Sequence, residues 1–162
     1  MDEMNTVEGV WSFVSSSEKE THRFGRWLGE ILRHGQTLAL DGELGAGKTT
    51  LVRGIAEGAE VDDIREVTSP TYSLMNIYGT KTGTLTHIDF YRLQDPEEAR
   101  LLGLGEQIAD PHTVALIEWA GLLPELLPPN HIELHLHWES ENERRFEIKG
   151  IAKPETFVWS SG

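Results

Sequence analysis

Eight residues constrain this chain more than any other feature. Gly42-Glu43-Leu44-Gly45-Ala46-Gly47-Lys48-Thr49 fits the pattern GxxxxGK[ST] throughout. Glycines let the backbone curl until several amides face one phosphate group. A helix that begins beside them adds the positive end of its dipole. Lys48 supplies a cation for the β- and γ-phosphates, and Thr49 a hydroxyl for Mg²⁺, with Thr50 next in line. Read as a pattern alone, this is either a phosphate loop or a glycine-rich turn with a chance Lys-Thr. The flanks favour the phosphate loop. Thr37 to Asp41 reads as a short buried strand, and Leu51, Val52, Ile55 and Ala56 form the apolar face of a helix starting near Lys48.

Elements alternate around this unit. Ser17-Glu18-Lys19-Glu20 has the spacing of a capping box, which predicts a helix running to about Arg33 with Phe24, Leu28, Ile31 and Leu32 inward and Gly35 at its exit. Residues 1–16 read as a loose or edge-strand lead-in anchored by Val10, Trp11, Phe13 and Val14. Tyr72 to Tyr78 and Leu85 to Asp89 are strand-like, Asp95-Pro96-Glu97-Glu98 starts a helix, and Val114 to Ile117 is another apolar strand. Ile132, Leu134, Leu136 and Trp138 alternate with polar residues, as do Phe146 and Ile148, which predicts an antiparallel hairpin. The expected fold is α/β in three layers, with a mostly parallel sheet and antiparallel C-terminal strands, in one domain over 1–162 and a flexible tail from 151.

A magnesium–nucleotide site also needs carboxylates, and two apolar strands end in one. Asp89 closes Leu85-Thr86-His87-Ile88, and Glu118 closes Val114-Ala115-Leu116-Ile117. Carboxyl ends of parallel strands open on the crevice where the phosphate loop lies. Either acid alternatively caps a helix or pairs with Arg92. Thr68-Ser69-Pro70-Thr71-Tyr72 reads either as a γ-phosphate-sensing switch or as a hydroxyl-capped turn, and composition alone favours the turn. His131, Glu133, His135 and His137 share a strand face; a solvated face is the expected reading, a metal site the rarer one. Arg65, Arg92, Arg100, Arg144 and Arg145 form no recognisable lid of the kind a small-molecule kinase uses, and no Asn-Lys-x-Asp guanine motif occurs.

Composition narrows the partners. Lys+Arg is 14 and Asp+Glu is 27, a net charge of −13. Such a surface opposes unaided approach to nucleic acid or anionic lipid. There are no cysteines, so disulfides, thiolate metal sites and thiol catalysis are excluded. Neither a signal-peptide pattern nor an apolar run of about 18 residues occurs, so a cytoplasmic protein with no membrane partner is expected.

The glycine loop is followed by Val67-Thr-Ser-Pro-Thr-Tyr72, then His87-Ile-Asp-Phe-Tyr-Arg-Leu93, then Leu116-Ile-Glu-Trp119. These blocks in this order resemble the bacterial TsaE (YjeE) family, over about residues 17–138. The resemblance implies a P-loop ATPase using ATP and Mg²⁺, needed to make threonylcarbamoyladenosine in tRNAs that read codons starting with A. Its implied partner is the TsaB–TsaD pair, with tRNA met only indirectly and DNA not at all. Residue by residue, Lys48 and Thr49 match the phosphate lysine and magnesium hydroxyl, and Asp89 and Glu118 the two functional acids. Ser69 and Thr71 match a switch-like segment, Trp119 an aromatic beside the second acid, and Thr21 a residue near the adenine. Glu43 stands where Asp is common, and Leu101 to His112 follows the family pattern loosely. A kinase or a nucleotide-gated binding module are the other readings of the same loop.

Overall fold

A computed structural model describes residues 9–43, 47–67, 74–93 and 95–154. Leu44, Gly45 and Ala46 of the glycine loop, and Ser69 and Thr71 of the switch-like segment, lie outside the described residues.

The described chain forms seven strands in one sheet, in the order β1-β7-β6-β2-β5-β4-β3. They are β1 (Val10–Ser15), β2 (Thr37–Gly42), β3 (Met75–Gly79), β4 (Thr84–Asp89), β5 (Thr113–Glu118), β6 (Ile132–Trp138) and β7 (Arg144–Lys149). The four central strands β6, β2, β5 and β4 run parallel, and antiparallel strands extend both edges. The predicted C-terminal hairpin is β6–β7, and β6 lies directly beside β2.

Helices α1 (Glu18–Ile31) and α2 (Lys48–Gly58) cover one face; α3 (Pro96–Leu101) and α4 (Leu104–Ile108) cover the other. Alternation along the strands assigns the two cores. Leu38, Leu40, Leu85, Val114 and Leu116 pack with Phe24, Leu28, Leu51 and Ile55 of α1 and α2. Ala39, Ile88 and Ile117 point the other way, to Ala99, Leu104 and Ile108. Each large side chain so buried contributes on the order of 1.5–3 kcal/mol.

The α1 cap forms as its spacing predicts. Ser17 Oγ accepts from the Glu20 amide at 3.1 Å, and Glu20 reaches back to the Ser16 amide at 2.7 Å. The helix stops at Ile31, two residues short of expectation, because Leu32 turns extended to fill the core. In β1, Trp11 and Phe13 anchor the strand whereas Val10 and Val14 are exposed: period two sets them on opposite faces. Phe13 stacks on Phe146 at 5.0 Å and meets Phe24 at 4.5 Å, tying β1, β7 and α1 together. Trp138 keeps the alternation of β6 but is exposed beyond the core, near the Arg144 guanidinium.

Four glycines bring α1 and α2 into backbone contact. A Cβ built on Gly29 would stand 2.1 Å from the Ile55 carbonyl oxygen, and one on Gly58 2.1 Å from that of Arg26. Gly25 and Gly54 are as tightly placed, at 2.5 Å from Leu51 O and 2.4 Å from His22 O. No helix among the described residues is long and apolar enough to cross a membrane.

Candidate functional site

Parallel pairing sets three strand ends level. Leu40 of β2 is in register with Glu118 of β5, and Glu118 with Asp89 of β4. Glu118 and Asp89 share the sheet face that carries Leu40, so both acids emerge where β2 passes into the glycine loop. They line a cleft of about 1000 Å³ together with Thr21, Gly47, Lys48, Thr49, Thr50 and Trp119. The seven predicted residues Thr21, Gly47, Lys48, Thr49, Thr50, Asp89 and Glu118 thus meet in one cavity. Gly42 closes β2 and Glu43 is exposed just beyond it.

Lys48 is held by the chain itself. Its Nζ donates to the Gly42 carbonyl at 3.0 Å, lies 3.7 Å from Glu118 Oε1, and sits 4.7 Å from the Trp119 ring centre. Gly47, at φ +98°, caps α2 without a side-chain hydrogen bond, so no side chain of the cap satisfies the first amides of the helix. Glycine fits that left-handed backbone without strain. Trp119 adopts φ +59°, uncommon for a bulky residue, and its ring packs 5.0 Å from that of Tyr91.

The two acids are in different environments. Burial alone would raise the Glu118 carboxyl. A hydrogen bond from His87 and the charges of His87 and Lys48 outweigh it, leaving the group below its ordinary range. His87 Nε2 lies 2.6 Å from Glu118 Oε2. Asp89 goes the other way: partial burial raises it, Glu118 adds to the rise, and the Tyr91 amide, His87 and Lys48 only offset this. Asp89 also caps a 3-10 turn by accepting from the Tyr91 amide at 3.0 Å, so the capping role weighed for it holds alongside its place in the cleft.

Other groups at the site had no role assigned from sequence. His87 lies behind the cleft, fully buried against Glu118; the two-residue period that put Asp89 on this sheet face also put His87 there. Glu141 and Asn142, from the turn between β6 and β7, reach the rim with Arg144, and Arg92 joins Tyr91. Arg65, Arg100 and Arg145 pair instead with Asp63, Glu97, and Glu139 and Glu147. Thr21 is buried against Ser15, hydroxyl to hydroxyl at 2.8 Å. Of the histidine face, His131 and His135 lie near Glu133, and His137 near Glu147 at 3.0 Å.

Residues 15–146 match the family model described as threonylcarbamoyl adenosine biosynthesis protein TsaE. The chain belongs to the TsaE family. A TsaE protein of Rickettsia felis is 35% identical over 83% of this chain and 77% of its own length. That of Aquifex aeolicus is 33% identical over 88% and 98%, and that of Bacillus subtilis 34% over 82% and 81%. Each is named a tRNA threonylcarbamoyladenosine biosynthesis protein. The crystal structure of Bacillus subtilis YdiB superposes with a TM-score of 0.70 at 27% identity, covering 90% of this chain and 87% of that one. The fold of this TsaE chain is accordingly that of a P-loop NTPase, α/β with helices on both faces of the sheet.

Proposed function

We propose that this TsaE-family protein binds and hydrolyses ATP with Mg²⁺ and serves the TsaB–TsaD pair in forming threonylcarbamoyladenosine on tRNA. The observation that carries the reading is the meeting of Lys48, Thr49, Asp89 and Glu118 at the carboxyl ends of parallel strands. The donor set fits magnesium, a hard cation that takes hydroxyl and carboxylate oxygens. Mg²⁺ bound with the nucleotide supplies charge neutralisation at the phosphates.

The chain's own groups divide the remaining work. Lys48 leaves its contacts with Gly42 O and Glu118 to meet the β- and γ-phosphates, and the uncapped start of α2 offers amides to the same oxygens. Thr49 and Glu118 hold the metal. Asp89 accepts a hydrogen bond from the attacking water and orients it. Trp119 packs beside Lys48 and limits the positions its ammonium can take. Ser69 and Thr71 sense the γ-phosphate, so that the partner pair distinguishes the ATP from the ADP state. Ligand and partner then favour the same population, so each tightens the other by an equal factor.

Lys48→Ala tests the site directly. Loss of a charge-assisted contact to phosphate should weaken ATP binding about tenfold or more. Thr49→Ala, Asp89→Ala and Glu118→Ala should lose turnover while remaining folded. Measuring free phosphate against transfer to metabolites separates an ATPase from a kinase. Normal hydrolysis by all four variants would sink the assignment.

A further inference from the structure

Glu118 is backed by a residue that the preceding roles do not use. His87 lies two positions before Asp89 on β4 and is fully buried. Packing alone does not call for an imidazole there, since Leu85, Val114 and Leu116 on the same face are buried hydrophobics. An ionised carboxylate only accepts, so at 2.6 Å from Glu118 Oε2 it is His87 Nε2 that carries the hydrogen and donates it. The other ring nitrogen, Nδ1, is buried with no hydrogen-bond partner. Leaving a buried polar atom unpaired forfeits the hydrogen bonds it would make to water. The ring therefore sits at an energetic disadvantage to make a single hydrogen bond. That bond divides the carboxylate: Oε2 is tied to His87, and Oε1 faces Lys48 at 3.7 Å.

We propose that His87 is a positioning residue for the metal. By fixing Oε2 from beneath, it presents Oε1 to the cleft in one orientation, so that Mg²⁺ meets a carboxylate that is already aimed. The inference rests on the magnesium–nucleotide reading above and adds the group that sets its affinity. Removing a hydrogen-bond partner behind a metal ligand typically weakens metal affinity about 10–100-fold.

The test titrates Mg²⁺ against binding of a fluorescent ATP analogue, with a parallel titration in EDTA. His87→Gln places an amide donor about where Nε2 lies, whereas His87→Asn is too short and His87→Leu has none. The Asn and Leu variants should need about tenfold more Mg²⁺ for half-maximal tightening, with affinity in EDTA changed less than about twofold. The Gln variant should stay near wild type. Should His87→Leu not fold, the Gln and Asn pair, both neutral amides, still decides the matter. An unchanged Mg²⁺ requirement in His87→Asn, or equal losses in Gln and Asn variants, would overturn the positioning role. Glu118→Gln separates the two levels. A shifted Mg²⁺ requirement there with none in His87→Asn removes only the role of His87; no shift in Glu118→Gln removes the magnesium reading beneath it.

Discussion

Trp119 bears the backbone strain of the site. A left-handed conformation costs a residue with a Cβ about 1–2 kcal/mol, and Trp119 sits at φ +59°. What holds it is local: its amide donates to the Leu40 carbonyl at 3.3 Å, and its ring contacts both Lys48 and Tyr91. Trp119→Gly removes the ring and the strain together, whereas Trp119→Ala removes the ring alone. The glycine variant should therefore be the more stable of the two by about 1 kcal/mol in chemical denaturation; equal stability would show that the backbone is unstrained. Lys48, Thr49, Asp89 and Glu118 are legible in sequence because a loop pattern and two strand ends announce them. His87 is not, because its contact with Glu118 depends on the register of β4 against β5. Arg144 and Asn142 are equally hidden, since a hairpin far along the chain carries them to the rim.

Helices α1 and α2 both begin at the cleft, Ser17, Glu18 and Thr21 on one and Gly47 to Thr50 on the other. Their separation is set where their backbones touch. Gly29→Ala would drive a methyl to 2.1 Å from the Ile55 carbonyl, so one helix must shift. Overpacking of this kind costs about 1–3 kcal/mol, and the melting temperature should fall by several degrees. Gly105→Ala is the counter-case: nothing lies within 4 Å of the added carbon in α4, and stability should rise by about 0.4–1 kcal/mol. Scanning calorimetry on both variants checks the pair, and a harmless Gly29→Ala would deny the close contact. Apolar stripes made both helices legible, but a glycine contributes nothing to a stripe, so the contact between them was not. The same blindness to facing explains why Val10 and Val14 looked like anchors while Trp11 and Phe13 are.

At the scale of the molecule, charge governs approach to nucleic acid. With a net charge of −13, the isolated protein should bind tRNA negligibly, and still less as salt is lowered and screening fades. Fluorescence titrations of labelled tRNA at several ionic strengths check this; tight, salt-sensitive binding would overturn it. The α/β class and the hairpin could be read from periodicity, but the strand order could not, because nothing in β6 marks it as the neighbour of β2. That order has a consequence in time. β1 pairs with β7, Val10 opposite Lys149 and Ser15 opposite Arg144. A ribosome adding about 5–20 residues per second needs roughly 7–30 s to pass from one strand to the other. Throughout that interval Trp11 and Phe13 have been made and the strand they pair against has not. The nascent chain thus carries β1 as an unpaired edge throughout that passage, its two aromatic rings having only α1 to pack against until β7 arrives.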